Sequence, residues 1–312
     1  MRVWSNDNGR WAPGDAGHGL RWYDLCKADE AALRDLATTL GLHPLAIDDC
    51  LSPYLHTPKL EDFGAYLFII LADLVSIEDT TPTVQELDVF LGKDFLVTYH
   101  DRAEEPAAIA AVARAIEQGL NTRPGASGLF YEVADRTVDA MIPIVTELGE
   151  ELDAIEDRIL VAGRLGEDHR RVMSRRALAG KVRRLLTPEL QFMIRLGRGE
   201  FAAIEPGDRP YFRDVYDHLL RVDLALEELR EDTEVALSMY LSALNNKLNE
   251  VMKVLAVVSA LALPGTLITG VFGTNFDNVP GLHSQEGFAL MIASIVGVAI
   301  GMAYFFRKRH WF

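Results

Sequence analysis

The sequence predicts an α+β domain of α/β/α layers, then a helical hairpin, one very long stalk helix continuing into a first membrane span, and a second span. Three observations predict it. In residues 1–125, strand-like runs meander between helix-like runs, which argues for substantial antiparallel pairing in a sheet covered by helices. From Tyr211 onward the chain keeps a helical apolar stripe and meets no glycine before Gly265. Two apolar runs, 254–272 and 287–306, then close the chain, each long enough for a helix to cross a hydrocarbon core of about 30 Å. No ionisable side chain lies between Lys253 and Asp277, and two such runs in succession argue against buried core helices.

The elements follow in order. Arg21 to Leu25 (RWYDL) reads as a short strand, and Ala28 to Leu40 as an amphipathic helix with Leu33, Leu36 and Leu40 on one side. Ala65 to Val75 is a strand, and Leu87 to His100 a hairpin turning at Gly92-Lys93. Between the first helix and these strands lie two polar-rich motifs, GLHPLAIDDCL (Gly41 to Leu51) and TPKLEDF (Thr57 to Phe63). Residues 126–209 read as a helical hairpin. Leu129 to Leu160 ends in an acidic face of Glu147, Glu150, Glu151, Asp153, Glu156 and Asp157. Glu167 to Leu196 carries Arg170, Arg171, Arg175, Arg176, Lys181, Arg183 and Arg184, so the two are expected to pair with each other. Pro206 and Pro210 punctuate the chain, and Pro210 suits the first turn of a new helix. Residues 210–253 form the cytosolic part of the stalk, 254–272 the first span, 273–286 an outer loop, 287–306 the second span and 307–312 a basic tail. The stalk and first span together reach roughly 90 Å at 1.5 Å per residue, so neighbouring copies are expected to pack against them.

Composition narrows the function. With 46 acidic and 31 basic residues the formal net charge is −15, which argues against nucleic-acid binding. Cys26 and Cys50 have no metal-ligand spacing and read as reduced thiols of a cytosolic domain. The N-terminal MRVWSNDNGRW lacks a signal-peptide pattern, and no nucleotide loop, nucleophile-base pair or zinc motif suggests an enzyme. Arg307, Lys308 and Arg309 place the end of the second span in the cytoplasm, and two spans return the N-terminal part to the same side. The connector carries no Lys or Arg and is expected outside the cell membrane.

NEVMKVL, the mid-span Pro264, Gly273-Thr274-Asn275 followed by Phe276 and Asp277, and the ending RKRHWF resemble the CorA-type divalent-cation channels of the two-transmembrane G-x-N superfamily. The motifs GLHPLAIDDCL and TPKLEDF extend that resemblance to the soluble part. It implies a homopentameric funnel in the lipid bilayer that passes hydrated Mg²⁺, and also Co²⁺ and Ni²⁺, with no prosthetic group.

The chemistry suits such a role. Mg²⁺ sheds water reluctantly and prefers oxygen ligands, and a ring of neutral oxygens can hold its hydration shell without trapping it. Asn275 offers such an oxygen just beyond the first span, although an Asn there also reads as a turn or C-cap residue. The resemblance makes Gly273, Thr274 and Asn275 the selectivity filter, and Asp277 an acidic ring beside it. It carries pore-lining roles to Asn249, Met252, Leu255, Leu263 and Thr266, with Met252 and Leu255 as the hydrophobic constriction. Asp48, Asp49, Asp135 and Asp214 match positions that sense intracellular divalent metal at subunit interfaces. Read without the resemblance, Asp48 caps a helix and Asp214 is a first-turn acid. Thr274 departs from the usual G-M-N, Leu263 from a frequent methionine, Ser238 from an acid, and Gly281 from a glutamate. Two other readings remain: a ZntB-like zinc transporter, and a membrane-tethered structural or signalling protein.

Overall fold

The computed structural model describes residues 1–7, 10–15, 19–78, 81–100, 105–119, 123–162, 168–274, 279–281 and 284–309. They form two compact units, Met1–Leu237 and Ser238–Phe312.

The first unit holds strands β1 (Arg2–Asp7), β2 (Arg10–Pro13), β3 (Leu20–Cys26), β4 (Lys59–Asp62), β5 (Tyr66–Glu78), β6 (Thr81–Gly92) and β7 (Phe95–His100). They make one seven-stranded sheet in the order β2-β1-β3-β7-β6-β5-β4. Neighbours are antiparallel except β3 with β7, which pair in parallel from Arg21 with Phe95 to Cys26 with His100. That parallel pair needs a long crossover, and the chain from α1 to β6 supplies it.

Helices α1 (Glu30–Leu40) and α2 (Pro44–Cys50) cover one face of the sheet. Their Leu33, Leu36, Ala46 and Ile47 share a core with Leu25, Phe68, Ile70, Phe90 and Tyr99. The alternate residues Leu67, Ile69, Leu71, Val89 and Leu91 are buried too, so both faces are covered and β5 reads as an unbroken apolar run. Helix α3 (Ala107–Glu117) and the long α4 (Ala126–Ala162) supply the other layer, α4 packing across β3, β5, β6 and β7. The expected α/β/α domain is present.

Helices α5 (Asp168–Arg198) and α6 (Arg209–Phe272) follow. The acidic α4 and the basic α5 lie against each other, but α5 also shares its basic residues with α6. Arg175 meets Glu151 of α4 at 2.8 Å, but Arg176 reaches Glu234 at 2.7 Å and Arg183 reaches both Asp223 and Glu227, all on α6. The reason is helical phase: Arg176 and Arg183 are two turns apart and share one face, and that face looks at α6. The start of α6 is fixed by Asp208, which accepts from Arg123 at 2.8 Å and from the Ser127 hydroxyl at the start of α4. The Arg123 guanidinium also lies 3.6 Å from the Tyr211 ring centroid. Pro210 sits in the first turn, where a missing N–H costs nothing.

The second unit contains the C-terminal part of α6 and helix α7 (Gln285–Lys308). Both helices are long and apolar enough to cross a membrane. Helix α7 opens on Ser284, whose hydroxyl accepts from the Gly287 amide at 3.0 Å, and Arg307 and Lys308 stand in its last turn. Both placements complement the helix ends. A Cβ at Gly265 of α6 would lie 3.5 Å from Ile295 of α7, so a small residue marks where the two helices approach.

Candidate pore stripe and cytosolic metal cluster

Helix α6 settles where the residues expected to line a pore lie relative to one another. At about 100° per residue, Asn249, Met252, Leu255, Leu263 and Thr266 fall within an arc of about 120°. Ser259, which the sequence reading passed over, and Gly270 share that stripe. All seven are exposed within the single chain. Val257, the buried position of the apolar segment, and Gly265, which approaches α7, lie on other faces. The stripe gathering the polar and small residues is thus left uncovered by α7. Thr266 turns its hydroxyl back to the Ala262 carbonyl at 3.0 Å, which satisfies it inside an apolar segment.

The helix ends at Gly273, whose N–H donates to the Thr269 carbonyl at 2.8 Å. The Thr274 hydroxyl donates to the Val271 carbonyl at 2.8 Å, meeting one of the carbonyls a helix end leaves unpaired. Methionine could not make that bond. Asn275, Asp277 and residues 310–312 lie outside the described residues. Arg309 just follows α7, and its guanidinium lies 5.8 Å from the Phe305 ring centroid.

A second constellation lies in the first unit, between α4 and α6. The acids of Asp135 and Asp139 stand one turn apart on α4, and Asp214 and His218 one turn apart on α6. His218 Nδ1 is 2.9 Å from Asp139 and 4.0 Å from Asp135, while its Nε2 is 3.8 Å from Asp214. Ligand atoms of Asp135, Asp139 and His218 all lie within 4.8 Å of one another, so the three can hold one metal ion. Asp135 Oδ1 is buried without a hydrogen-bond partner. Burial and then the Asp139 charge raise the Asp135 carboxyl above its usual range, against the pull of His218. The Tyr131 phenol is pushed up to about 12 by burial and by Asp135, Glu132 and Asp214. A dication would relieve this concentration of negative charge. The structure therefore brings Asp135 and Asp214 together and adds His218 and Asp139. Both additions were readable as i, i+4 partners of acids already singled out, His218 in the motif YFRDVYDH itself.

Asp48 and Asp49 belong to a different place. Gly41 closes α1 in the left-handed region at φ 69°, and its N–H bonds the Ala37 carbonyl. The next residues start α2: His43 Nδ1 accepts from the Leu45 amide at 3.2 Å, and Pro44 occupies the first turn. This puts Asp48 on the exposed side of α2 and Asp49 on the half-buried side. Asp49 is already paired: Lys59 Nζ lies 2.7 Å away, bridging to Glu61 at 2.6 Å, and His56 Nε2 is 3.8 Å distant. Asp48 is not the cap of α2, since His43 is.

Two helices long and apolar enough to cross a membrane, with the G-x-N tripeptide in the sequence after the first, are features of a membrane transporter. The profile of the CorA-like Mg²⁺ transporter protein family matches residues 17–308, and the chain belongs to that family. It is 28% identical over 272 residues to the cobalt/magnesium transport protein CorA of Thermotoga maritima, covering 87% of this chain and 77% of the relative. The zinc transport protein ZntB of an Enterobacter strain is 23% identical over 294 residues, covering 93% of this chain and 87% of the relative. Among solved structures, the complete CorA magnesium transporter of Methanocaldococcus jannaschii superposes with a TM-score of 0.85 at 22% identity, covering 100% of this chain and 98% of that one. That last likeness concerns the fold.

Proposed function

We propose that this protein carries divalent cations, Mg²⁺ foremost and Co²⁺ and Ni²⁺ with it, through a pore lined by α6 from the copies of a homopentamer. The observation that carries this reading is the stripe of Asn249, Met252, Leu255, Ser259, Leu263 and Thr266, which α7 leaves uncovered. Polar side chains on a membrane helix are costly against lipid and favour a water-filled interior. Gly273, Thr274 and Asn275 form the filter at its outer end, Asp277 an acidic ring, and Arg307, Lys308 and Arg309 hold the tail at the inner surface. Both termini are then cytoplasmic, as are residues 1–253 with their α/β domain and hairpin.

The convergence of Asp135, Asp139, His218 and Asp214 supports a regulatory role for cytosolic divalent metal, with Asp48 and Asp49 of a neighbouring copy adding charge to the same interface. Asp49 would exchange its Lys59 partner for the metal. A second reading, zinc transport, is favoured by one observation: Thr274 replaces the methionine of the common motif, and its hydroxyl is turned to the helix end.

Flux into liposomes of reconstituted protein tests both. Mg²⁺ flux is expected, with Asn275→Ala abolishing it in a protein that still assembles. Flux of Zn²⁺ without Mg²⁺ selects the second reading, and an Asn275→Ala variant carrying Mg²⁺ at the wild-type rate defeats the filter assignment.

A further inference from the structure

The serines and threonines of the two apolar segments are Ser259, Thr266 and Thr269 on α6 and Ser294 on α7. Three of them turn the hydroxyl back on their own helix, where it donates to the carbonyl one turn before. Thr266 reaches Ala262 at 3.0 Å, Thr269 reaches Gly265 at 2.9 Å and Ser294 reaches Leu290 at 2.8 Å. Such a bond satisfies a hydroxyl that has no water beside it. Ser259 differs: its side chain is exposed, and its hydroxyl has no hydrogen-bond partner among the described residues. The next residue adds a second polar group. Pro264 lies inside α6 and has no N–H, so the Ala260 carbonyl loses the donor that the helix would otherwise give it. One turn of a membrane helix thus carries a hydroxyl without a partner and a carbonyl without its helical donor. Water serves both where the helix lines a wet interior.

The place of Ser259 on the helix gives these groups a use. Met252, Ser259 and Thr266 are spaced by seven residues, and each heptad falls only about 20° short of two full turns, so the three stand nearly in line. Gly265, where α7 approaches, lies about 120° round the helix from Ser259. Leu255 and Leu263 each stand four residues from Ser259, about 6 Å along the axis on either side.

We infer that Ser259 marks a resting site for a hydrated divalent cation midway along the pore. The hydroxyls of Ser259, one from each copy, form a ring between those of Leu255 and Leu263 and accept hydrogen bonds from the water shell of the ion. This rests on the reading of α6 as the pore helix and adds a station that none of the expected pore residues supplies. Two leucine rings with an apolar residue between them would leave a dry stretch of about 12 Å, and such a stretch stops ions by dewetting. Mg²⁺ sheds its water reluctantly, so it crosses only where the shell persists. A ring of neutral hydroxyl oxygens halves the dry stretch and holds the shell without trapping the ion. Thr266 cannot take this role as it stands, since its hydroxyl proton is committed to Ala262.

The test measures Mg²⁺ flux into liposomes that hold full-length protein. Ser259→Ala removes the oxygen at nearly constant size and should cut the flux at least about tenfold. Ser259→Cys tests the place separately from the chemistry. Thiols facing one another across a pore bind the soft ion Cd²⁺, so external Cd²⁺ should block this variant at a concentration at least about tenfold below what wild type requires. Met252→Cys, one heptad away on the same stripe, is the control for the pore itself. Block of Met252→Cys without block of Ser259→Cys overturns the inference and leaves the pore reading standing. Block of neither variant, in assembled protein, defeats the pore reading and this inference with it. Ser259→Ala protein carrying Mg²⁺ at the wild-type rate overturns the inference whatever Cd²⁺ does.

Discussion

Glu189 on α5 offers a perturbation whose size follows from the structure. Strand β4 pairs with β5 only as far as Ile70, so the backbone beyond it has no strand partner on that side. Glu189, 1% exposed, fills the gap by accepting a hydrogen bond from the Ala72 amide. Burial pushes its carboxyl from 4.5 to about 8; the Ala72 bond opposes the shift and the Asp73 charge adds to it. Asp73 is itself raised to about 6 by burial. The folded state therefore keeps a proton on Glu189 at pH values where the unfolded chain has released it. Stability contributed by the neutral carboxyl is complete below pH 4.5 and declines as pH rises to about 8. At 1.36 kcal/mol per pH unit the decline amounts to about 5 kcal/mol. Glu189→Gln keeps the carbonyl acceptor and removes the titration. Thermal unfolding of full-length protein in detergent should show wild type losing on the order of 10 °C in Tm relative to the variant between pH 5 and pH 8.5. Parallel curves for the two proteins across that range would refute the reasoning.

Two further predictions address gating and topology. Asp135→Asn combined with His218→Gln should move inhibition of flux by internal Mg²⁺ to concentrations at least about tenfold higher, since a full switch of a two-state gate needs only about 5.5 kcal/mol shared among the copies; an inhibition curve that does not move removes this cluster from the gate. Ser284→Cys, at the exposed start of α7, should react with a membrane-impermeant thiol reagent on intact cells while a cysteine placed at Arg309 does not, and the reverse pattern would invert the proposed orientation.

The fold was legible where the physics is local. Helix α6 needed only a stripe and the lack of glycine, and β5 and the β6–β7 hairpin needed only apolar runs and Gly92. Strand β6 starts at Thr81 rather than Leu87, because TPTVQE is held by pairing with the distal half of β5 rather than by its own hydrophobicity. Strands β1 and β2 went unread for a similar reason. RVWSND and RWAP are polar for a sheet, and what places them is Trp4 stacking on Trp22 at 4.2 Å and Trp11 Nε1 reaching the Arg123 carbonyl at 3.0 Å. Neither contact has any trace in local sequence. Strand β4 shows the opposite failure. KLED was noticed as a motif and not as a strand, since its charges suit a sheet edge, where Lys59 serves Asp49 and Glu61.

The same division runs through the candidate sites. The proposed pore stripe is a property of one helix, so spacing alone puts Asn249, Met252, Leu255, Leu263 and Thr266 on one face, and the structure's addition is that α7 covers another. The acidic cluster needs two helices in register. Each contributes an i, i+4 pair visible in sequence, but nothing in either segment says that Asp135 and Asp214 converge on His218. The surroundings of Cys50 are further from sequence still. Cys50 and Asp88 meet only because α2 packs on the face of β6 that carries Glu86, Asp88 and Phe90, and a cysteine with no partner at metal-binding spacing reads as an inert thiol. Burial changes what such a group is: at 2% exposure the Asp88 carboxyl is held well above its usual range, while the same residue on a surface would be satisfied by water. Sequence can count donors along the chain, but only the packed structure shows which of them have been denied water.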